Sequence, residues 1–345
     1  MDHKKSLLII PIFLPHQGCP HQCSFCNQNK ISNTPSRLPS TSFMNREINR
    51  YLSFKRDPDT PVQIAFYGGN FLGIPFSSII MLLDEAAAFV HAGKADSIRF
   101  STRPDTISNE ILDKLEPYRI STIELGAQSM DDRILSLSNR GHTAEDTARA
   151  ASTIKQRNIQ LGIQMMTGLP GDEGRQSIET ANKIIGLSPD FVRIYPTLVL
   201  SKSPLEKSYT RGEYSPMSLE NSVKLAAKIY CLFTKSGIPV IRMGLQASDG
   251  LEKNEGLVAG PFHPAFGHLV LSEIFLEKVK ERLQCRQNVR DKEAVIHVHA
   301  TGISKMRGLK NQNIHALQRM FRLKAVHILS DDTLRKDQVM VNIRD

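Results

Sequence analysis

Three cysteines lie within eight residues near the N-terminus. They are the strongest candidate for a metal-binding site in the sequence. They are Cys19, Cys23 and Cys26, in a Cys-x3-Cys-x2-Cys pattern. Only two more cysteines occur, Cys231 and Cys285, and both lie far downstream. Three thiols cannot all pair in disulfides, and they are one short of an all-thiolate tetrahedral site. The spacing therefore raises the question of what supplies a fourth ligand.

Three kinds of site are compatible with this spacing. Zinc is one, with His16 or His21 as the fourth ligand, although structural zinc sites usually combine two separated knuckles and no second knuckle occurs. A redox dithiol of Cys23 and Cys26 is another, but it leaves Cys19 without a role. The third is an iron–sulfur cluster held by three thiolates, with one iron open to a substrate or cofactor.

Length and composition favour a large α/β protein of the cytoplasm. The chain has 345 residues, 40% of them hydrophobic, enough for one barrel-type domain with an extension or for two medium domains. A signal peptide does not fit, because Pro11 and Pro15 interrupt the first apolar run. No apolar stretch approaches the ~20 residues of a membrane span. Clustered cysteines without an export signal favour a reducing compartment, so we expect a cytoplasmic protein with no membrane contact.

The charge balance favours a polyanionic partner. The formal net charge is +9, from 44 Lys and Arg against 35 Asp and Glu. The last 45 residues contain nine basic and four acidic residues, a net of +5. A basic surface attracts RNA through counterion release, although a solvated basic helix face would have the same composition. Arg140, Arg193 and the basic residues of this tail are the candidates for contacts with a phosphate-bearing substrate.

Short β-branched segments alternate with amphipathic segments from residue 7 onward. Six strand–helix units fill roughly the first 200 residues, and such repeats indicate a parallel sheet covered by helices. The predicted strands are residues 7–14, 62–67, 97–101, 121–125, 160–166 and 191–195. The predicted helices are residues 42–54, 77–91, 108–115, 143–157 and 175–185. Further along, the pattern predicts helices at 219–235 and around 272–284, and strands within 238–246 and at 294–298.

Glycine and polar residues follow the predicted strands. The first strand leads into the cysteine loop, and later strands end in "FYGGNF", "STRPD", "ELGAQS" and "MMTGLPGD". In folds built from parallel strands and outer helices, ligands bind beyond the carboxyl ends of the strands. The sequence therefore predicts a single rim that surrounds a ligand.

The cysteine loop, with Phe25 directly before its last cysteine, resembles the loop after the first strand in the radical S-adenosylmethionine (SAM) superfamily. The resemblance implies that Cys19, Cys23 and Cys26 hold a 4Fe-4S cluster and that SAM binds the fourth iron through its amino and carboxylate groups. It also implies that Phe25 lies against the cofactors. In that superfamily, reduction of the cluster splits SAM into methionine and a 5′-deoxyadenosyl radical, which abstracts a hydrogen atom from a substrate.

Two strand ends resemble the superfamily in the same register. Gly68-Gly69-Asn70 stands where the superfamily has Gly-Gly-Glu, a turn whose backbone carbonyls meet the SAM ammonium, and only glycine lets the main chain come so close. Asn70 departs from the usual acid. Glu124 and Gln128, in "ELGAQS", resemble a Glu-x-Gly-Val-Gln-Ser pattern. The resemblance implies that both reach the ribose or the methionine end of SAM.

A narrower resemblance covers roughly residues 120–215. The segments "SNRGHT", "QMMTGLPGD" and "RIYPTLVLSKSPLEKSYTRGEYSP" are similar to the catalytic subunit of Elongator, which joins a radical SAM domain to an acetyltransferase domain and modifies the wobble uridine of tRNA. Two features depart from that family: its first two cysteines are typically farther apart than Cys19 and Cys23, and no acetyltransferase signature follows residue 217. Oxygen-independent coproporphyrinogen oxidases are more distantly similar.

Together these features predict a partial (β/α)6 TIM-like radical SAM barrel at residues 5–217 and a C-terminal α/β extension at 218–345 that shapes the substrate mouth. The predicted function is a radical SAM enzyme on tRNA or another nucleotide-bearing molecule, reduced by a low-potential donor of the flavodoxin or ferredoxin type. Two alternatives stay open: a radical SAM enzyme for a small metabolite or tetrapyrrole, and a zinc-stabilised nucleic-acid-binding protein. No catalytic side chain is assigned.

Overall fold

Seven parallel strands form the main sheet of the protein. The computed structural model describes residues 7–20, 22–28, 37–55, 57–245 and 256–345, so the candidate zinc ligand His21 lies outside the described residues. The strands are β1 (Leu8–Phe13), β2 (Val62–Tyr67), β3 (Ser97–Thr102), β4 (Ile120–Gln128), β5 (Gln160–Thr167), β6 (Phe191–Pro196) and β8 (Val240–Met243). They follow the order β1-β2-β3-β4-β5-β6-β8, and in the described chain the two end strands do not pair with each other.

Helices follow the strands along the chain. They are α1 (Thr41–Leu52), α2 (Phe76–His91), α3 (Asn109–Lys114), α4 (Asp132–Leu137), α5 (Ala144–Lys155), α6 (Arg175–Gly186), α7 (Pro204–Thr210) and α8 (Leu219–Lys235). Side-chain oxygens fix where several of them begin, because they satisfy N–H groups that the helix leaves unpaired. Thr143 and Asp146 form a reciprocal capping box at α5, and Ser218 accepts a hydrogen bond from the N–H of Asn221 at α8.

The central strands of the main sheet carry buried apolar side chains, so the sheet must be covered by other parts of the chain. Ile64 and Phe66 of β2 and Phe100 of β3 are fully buried, as expected for parallel strands that are packed on both faces. The ring of Phe71, just after β2, stacks between Phe66 and Phe100 with centroid distances of 5.0 and 4.7 Å. This aromatic stack anchors the turn that precedes Phe71 to the core of the sheet.

The predicted fold class is confirmed: the main sheet is a curled, open, parallel half-barrel. Each strand predicted in the first 200 residues matches an observed strand to within three residues. The strand predicted within 238–246 is β8, which adds a seventh parallel strand. The helix predicted around residue 272 begins earlier, at Phe266. Its first turns were missed because the preceding Gly- and Pro-rich segment is typical of turns.

A smaller sheet lies near the C-terminal end of the chain. Its strands are β10 (Glu293–Val298), β11 (Ala325–Ser330) and β12 (Val339–Arg344), and central β10 pairs parallel with β11 and antiparallel with β12. Helices α9 (Phe266–Gln284), α10 (Ile303–Arg307) and α11 (Gln312–Phe321) accompany it. Val279, Ile296 and Leu317 belong to its separate apolar core. The sequence predicted β10 but only a basic tail after it, so the helices and the last two strands were missed.

Two links connect this smaller unit to the main sheet. The first is helix α9, whose Val270 packs in the main core and whose Val279 packs in the second core. The second is a short antiparallel pair formed by β7 (Val199–Leu200) and β9 (Leu257–Ala259). In the described segments, no helix combines the length and the hydropathy that a membrane span requires.

Candidate active site

A cavity of about 650 Å³ lies at the carboxyl ends of the main sheet, and its volume is within the range of small-molecule sites. The cysteine loop, the turn after β2, the ends of β3 to β6, and Arg242 and Leu245 form its walls. Most of the predicted site residues line it: Cys19, Cys23, Phe25, Cys26, Gly68, Gly69, Glu124 and Gln128. Asn70 does not line the cavity, although it adjoins the turn that does.

Gln28 ties the cysteine loop to the turn after β2. Its side-chain oxygen accepts the N–H of Gly69 at 2.7 Å and also the N–H of His16. Its own backbone N–H donates to Nε2 of His16 at 2.9 Å, and burial lowers the pKa of that imidazole, which keeps Nε2 an acceptor. His16 is therefore an anchor inside the loop and not a zinc ligand through Nε2. Nothing in the sequence spacing pointed to Gln28.

Asn70 fixes the turn after β2 from behind. Its amide nitrogen donates to the carbonyl of Gly18 at 2.9 Å, and its amide oxygen accepts from the hydroxyl of Thr102 at 2.7 Å and from the N–H of Arg103 at 3.0 Å. A carboxylate in this position could not donate to the Gly18 carbonyl. The amide is therefore matched to its partners, which gives a physical reason for asparagine where the superfamily has glutamate.

Close packing makes glycine necessary at position 69. Its φ is +61°, and an added Cβ would lie 2.6 Å from the carbonyl oxygen of Leu14 and also collide with that of Gln17. Gly93 has a similar φ of +66° but has no atom within 4 Å of an added Cβ. Alanine substitutions at Gly69 and Gly93 therefore separate two losses of stability: the one caused by a left-handed backbone and the one caused by the collision.

We expect Gly69→Ala to lower the free energy of unfolding by at least about 3 kcal/mol, because main-chain atoms must move as well. In Gly93→Ala only the backbone conformation is unfavourable, so the free energy of unfolding is expected to fall by about 1 kcal/mol. Urea unfolding of both variants measures the difference. Equal losses would show that the turn tolerates a side chain, contrary to the packing described above.

Two hydrogen bonds attach the middle of the cysteine loop to the chain that follows β7. The backbone oxygen of Ser24 accepts the N–H of Leu205 at 2.8 Å. The side chain of Asn27 donates to the backbone oxygen of Ser201 at 2.7 Å. Ser201 directly follows β7 and Leu205 lies in the first turn of α7. The two bonds therefore fix the loop on both sides of Phe25, which lines the cavity.

The three thiols are close enough to affect one another, and Cys23 is buried while Cys19 and Cys26 are half-buried. Burial, and then the neighbouring Cys23 and Cys19, raise the pKa of Cys26 to about 12. Burial and Cys23 likewise raise the pKa of Cys19, whereas the nearby Arg140 opposes the rise. The guanidinium of Arg140 lies 3.5 Å from the sulfur of Cys23 and donates to the carbonyl of Gly126 at 2.6 Å.

These donors fit an iron–sulfur cluster in their chemistry. Three soft thiol ligands face the same cavity, thiolates are the usual protein ligands of such clusters, and buried Arg140 provides positive charge beside them. Among the residues that the structure describes, no three His, Cys, Asp or Glu side chains are gathered around the position of a single ion. Sequence reasoning had identified Arg140 only as a candidate contact for phosphate.

Glu124 is the centre of a buried ion-pair network on the cavity wall. Its carboxylate lies 2.7 Å from Nε of Arg193 and 3.7 Å from Nη1 of Arg99, and it accepts from the hydroxyl of Tyr67 at 3.0 Å. Burial, and then this carboxylate, raise the pKa of Tyr67 to about 12, so the phenol stays protonated. Arg193, a candidate phosphate contact in the sequence, is thus engaged by Glu124. Two guanidinium groups against one carboxylate leave this wall positive.

Gln128 lies at an irregular point of β4. Its φ is +66°, and the register between β4 and β5 shifts between Gly126 and Gln128. Bulges of this kind re-aim side chains next to active sites. The amide oxygen of Gln128 accepts from the side chain of Gln164 on β5 at 3.2 Å, and both residues line the cavity. Sequence reasoning found Gln128 but missed Gln164.

Buried His142 gives the protein a specific sensitivity to acid. Burial, followed by the guanidinium groups of Arg140 and Arg103, lowers its pKa from 6.5 to about 3. Below pH 6.5 the unfolded chain binds a proton at this residue that the folded chain does not bind, so stability falls as the pH drops toward 3. Between pH 7 and pH 5 this group alone is expected to cost about 2 kcal/mol.

Urea unfolding at pH 7 and pH 5 tests this prediction against the His142→Gln variant. The variant lacks the titrating group, so its stability is expected to fall by about 2 kcal/mol less than that of the wild type over this interval. An equal fall in the two proteins would contradict the assignment of a neutral, buried imidazole.

Family models match most of the chain. Residues 13–184 match the Radical SAM superfamily, and residues 189–275 match the Radical_SAM C-terminal domain. The chain therefore belongs to the radical SAM superfamily and is a radical SAM enzyme, which confirms the resemblance found in the cysteine loop. Membership implies a 4Fe-4S cluster and SAM as cofactors, and it implies the need for a reductant.

Individual relatives confirm the narrower resemblance to Elongator. The chain is 31% identical over 258 residues to the tRNA uridine(34) acetyltransferase of Methanocaldococcus jannaschii, across 63% of this chain and 47% of that protein. It is 28% identical over 192 residues to Elongator complex protein 3 of Saccharomyces cerevisiae, across 50% of this chain and 34% of that protein. It thus spans half or less of the length of these two relatives.

A solved structure supports the fold. Elp3 of Methanocaldococcus infernus, with its N-terminus deleted, superposes with a TM-score of 0.60 at 19% identity, and the match covers 84% of this chain and 66% of that one. At this identity the similarity concerns the architecture, which is that of the partial barrel described above.

Proposed function

We propose that Cys19, Cys23 and Cys26 hold a 4Fe-4S cluster in the cavity and that SAM binds beside it. The observation that carries this proposal is that the three thiols line the same cavity as the turn of Gly68 and Gly69. When bound, the cluster and SAM supply the reductive cleavage that yields methionine and a 5′-deoxyadenosyl radical, which abstracts hydrogen from the substrate.

The residues around the thiols are suited to position SAM. Gly68 and Gly69 bring main chain to the cavity wall, where backbone carbonyls accept hydrogen bonds from an ammonium group. Arg140 places a buried positive charge beside Cys23, which suits the SAM carboxylate. Gln128 offers an amide to the polar part of the ligand, and Phe25 offers an apolar face.

The Glu124 network supports the cavity wall and contributes to the choice of ligand. Because Arg99 and Arg193 are both in contact with the one carboxylate, the wall is rigid and carries excess positive charge in a region of low dielectric. Such a wall favours a substrate that carries an anionic group. Apolar side chains at the same cavity, including Met166, Leu198 and Leu200, exclude water from the reaction.

We propose tRNA, or another nucleotide-bearing molecule, as the substrate, and a flavodoxin- or ferredoxin-type protein as the electron donor. The relatives named for modification of tRNA uridine support this substrate, as does the net charge of +9. We also propose that residues 5–217 act as the core barrel and residues 218–345 as an extension that shapes the substrate mouth. Arg242 and Leu245 line the cavity, which supports a role at the mouth for the region after residue 217, although β8, which carries Arg242, belongs to the main sheet.

Reconstitution under anaerobic conditions tests the proposed chemistry. Purified protein treated with iron and sulfide is expected to gain a broad visible absorption that bleaches with dithionite. It is then expected to convert SAM into 5′-deoxyadenosine, detected by liquid chromatography and mass spectrometry. A protein that binds stoichiometric zinc, takes up no iron and forms no 5′-deoxyadenosine would contradict the proposal.

A further inference from the structure

The small C-terminal unit contains a basic segment, none of which lines the cavity of the main sheet. Between Ala294 and Ser330 the sequence contains six Lys or Arg residues and no Asp or Glu. Five of the six are exposed: Arg307, Lys310, Arg319, Arg322 and Lys324. In the folded unit Lys324 lies 3.8 Å from the carboxylate of Glu293. The exposed basic residues outnumber their acidic neighbours, which favours a polyanionic partner.

A tight loop between α10 and α11 lies within this basic segment. It consists of Gly308, Leu309, Lys310 and Asn311, and three of these four residues have positive φ: 71° for Gly308, 51° for Lys310 and 61° for Asn311. Glycine and asparagine tolerate this conformation best. The turn leaves Lys310 exposed and Leu309 41% exposed.

A surface pocket of about 450 Å³ lies at this loop. It is lined by Ala300, Ile303 and Ser304 on one side and by Arg307, Gly308, Lys310 and Asn311 on the other. No acidic side chain belongs to that lining. The carboxylate of Asp332 contacts the edge of the lining, where it accepts the N–H of Ala300 at 3.3 Å. The pocket thus combines positive charge with backbone groups in a shallow, open depression of the surface.

The loop rests on a rigid base. The side chain of Asn313, which is 2% exposed, donates to the backbone oxygens of Ser272 on α9 at 2.9 Å and of Lys305 on α10 at 3.4 Å. Leu317 of α11 is fully buried in the core of the unit. Packing and hydrogen bonds therefore hold the loop in place, as a preorganised binding site requires.

We propose that this loop clamps the sugar–phosphate backbone of single-stranded RNA. In KH modules a GXXG loop clamps four backbone nucleotides, and here Gly308-Leu309-Lys310-Asn311 has the same length and joins two helices packed against a three-stranded sheet. Asn311 takes the place of the second glycine and adopts the left-handed backbone that asparagine tolerates. Arg307 and Lys310 supply positive charge for phosphates.

This inference deepens the proposed function. It rests on that proposal in one respect: the bound RNA is taken to be the substrate of the enzyme. Binding at the loop needs neither the cluster nor SAM. Protein that has not been reconstituted with iron and sulfide is therefore expected to bind RNA as tightly as the reconstituted protein. Loss of RNA binding in the protein without iron would contradict a site that is independent of the cysteine loop.

Fluorescence anisotropy with the full-length protein tests the loop directly. The probe is a labelled single-stranded RNA of about ten nucleotides, longer than the four that a KH loop clamps. In Leu309→Asp/Lys310→Asp, two carboxylates face the phosphates from exposed positions. We expect about a tenfold or greater loss of affinity and a weaker dependence of affinity on salt, with an unchanged thermal unfolding profile.

The matched control places the same change of charge elsewhere on the unit. Arg335→Asp/Lys336→Gln alters two exposed residues in the turn between β11 and β12 and also lowers the net charge by three. Its affinity is expected to stay within about threefold of the wild type, since only diffuse attraction is lost. Equal losses in the two variants would overturn the loop assignment in favour of non-specific attraction.

Two further results would overturn the inference, and both leave the proposed chemistry untouched. One is the absence of binding by the wild-type protein at low salt while it still forms 5′-deoxyadenosine from SAM. The other is a duplex RNA that binds as tightly as the single strand and is equally sensitive to the loop variant. Conversely, intact RNA binding without cleavage of SAM would contradict the proposed function and leave the loop assignment standing.

Discussion

The Cys26→Ala protein, reconstituted anaerobically, is expected to lose the dithionite-sensitive absorption and to form no detectable 5′-deoxyadenosine. Loss of a residue that only hydrogen-bonds to a metal ligand typically weakens metal affinity by about 10- to 100-fold. Removal of a direct ligand is expected to weaken it by more than about 100-fold. The measured quantities are iron bound per chain and 5′-deoxyadenosine formed from SAM.

Cys285→Ala is the matched control for this experiment. Cys285 is exposed at the end of α9, and it does not line the cavity. Its replacement is expected to leave both the iron content and the formation of 5′-deoxyadenosine at wild-type levels. A cluster that survives in Cys26→Ala, or one that is lost equally in Cys285→Ala, would contradict the assignment of the ligands.

The second large effect concerns the carboxylate at the centre of the buried network. In Glu124→Gln the guanidinium groups of Arg193 and Arg99 stay buried without a neutralising charge. Breaking a buried ion pair from one side typically costs about 3–5 kcal/mol. We expect a loss of this size in the free energy of unfolding, measured by urea titration.

Two further variants make the Glu124 experiment specific. Glu213→Gln breaks an exposed pair with Arg211, which is expected to cost less than about 1 kcal/mol. In the double variant Glu124→Gln/Arg193→Met, the total loss is expected to fall below the sum of the two single losses, because one unpaired charge is removed. If Glu124→Gln proves as mild as Glu213→Gln, the network does not stabilise the cavity wall.

Local sequence patterns were sufficient to predict the main sheet. Apolar runs followed by glycine-rich turns mark the strands of a parallel sheet, and caps such as Thr143 and Ser218 mark where helices begin. The cysteine loop was also visible, because its three thiols lie within one short segment. Each of these signals is contained in a few neighbouring residues.

The pairings inside the site could not be predicted in the same way. Glu124 and Arg193 are 69 positions apart, and Cys23 and Arg140 are 117 positions apart. No periodicity connects such residues, since their contact depends on the curl of the sheet and on the path of the loops. The role of Gln28 as an anchor likewise emerges only once the loop is folded against the turn after β2.

The C-terminal unit was underestimated for a different reason. Helix α10 has only five residues, too few to show an amphipathic pattern. Helix α11 has ten residues and is amphipathic, but it lies in a segment whose basic residues are its most visible feature. Strand β11 has several exposed positions, so its alternation is weak. The basic composition of the C-terminal unit predicted only a charged tail, whereas in the structure part of that charge lies at a defined loop.

The most direct test of the central claim is electron paramagnetic resonance of the reconstituted, dithionite-reduced protein before and after addition of SAM. If three cysteines hold a 4Fe-4S cluster with one iron open to SAM, the protein is expected to give the signal of a reduced 4Fe-4S cluster, and SAM is expected to change that signal. A signal that is identical with and without SAM, or a protein that carries zinc and no cluster, would contradict the assignment of Cys19, Cys23 and Cys26.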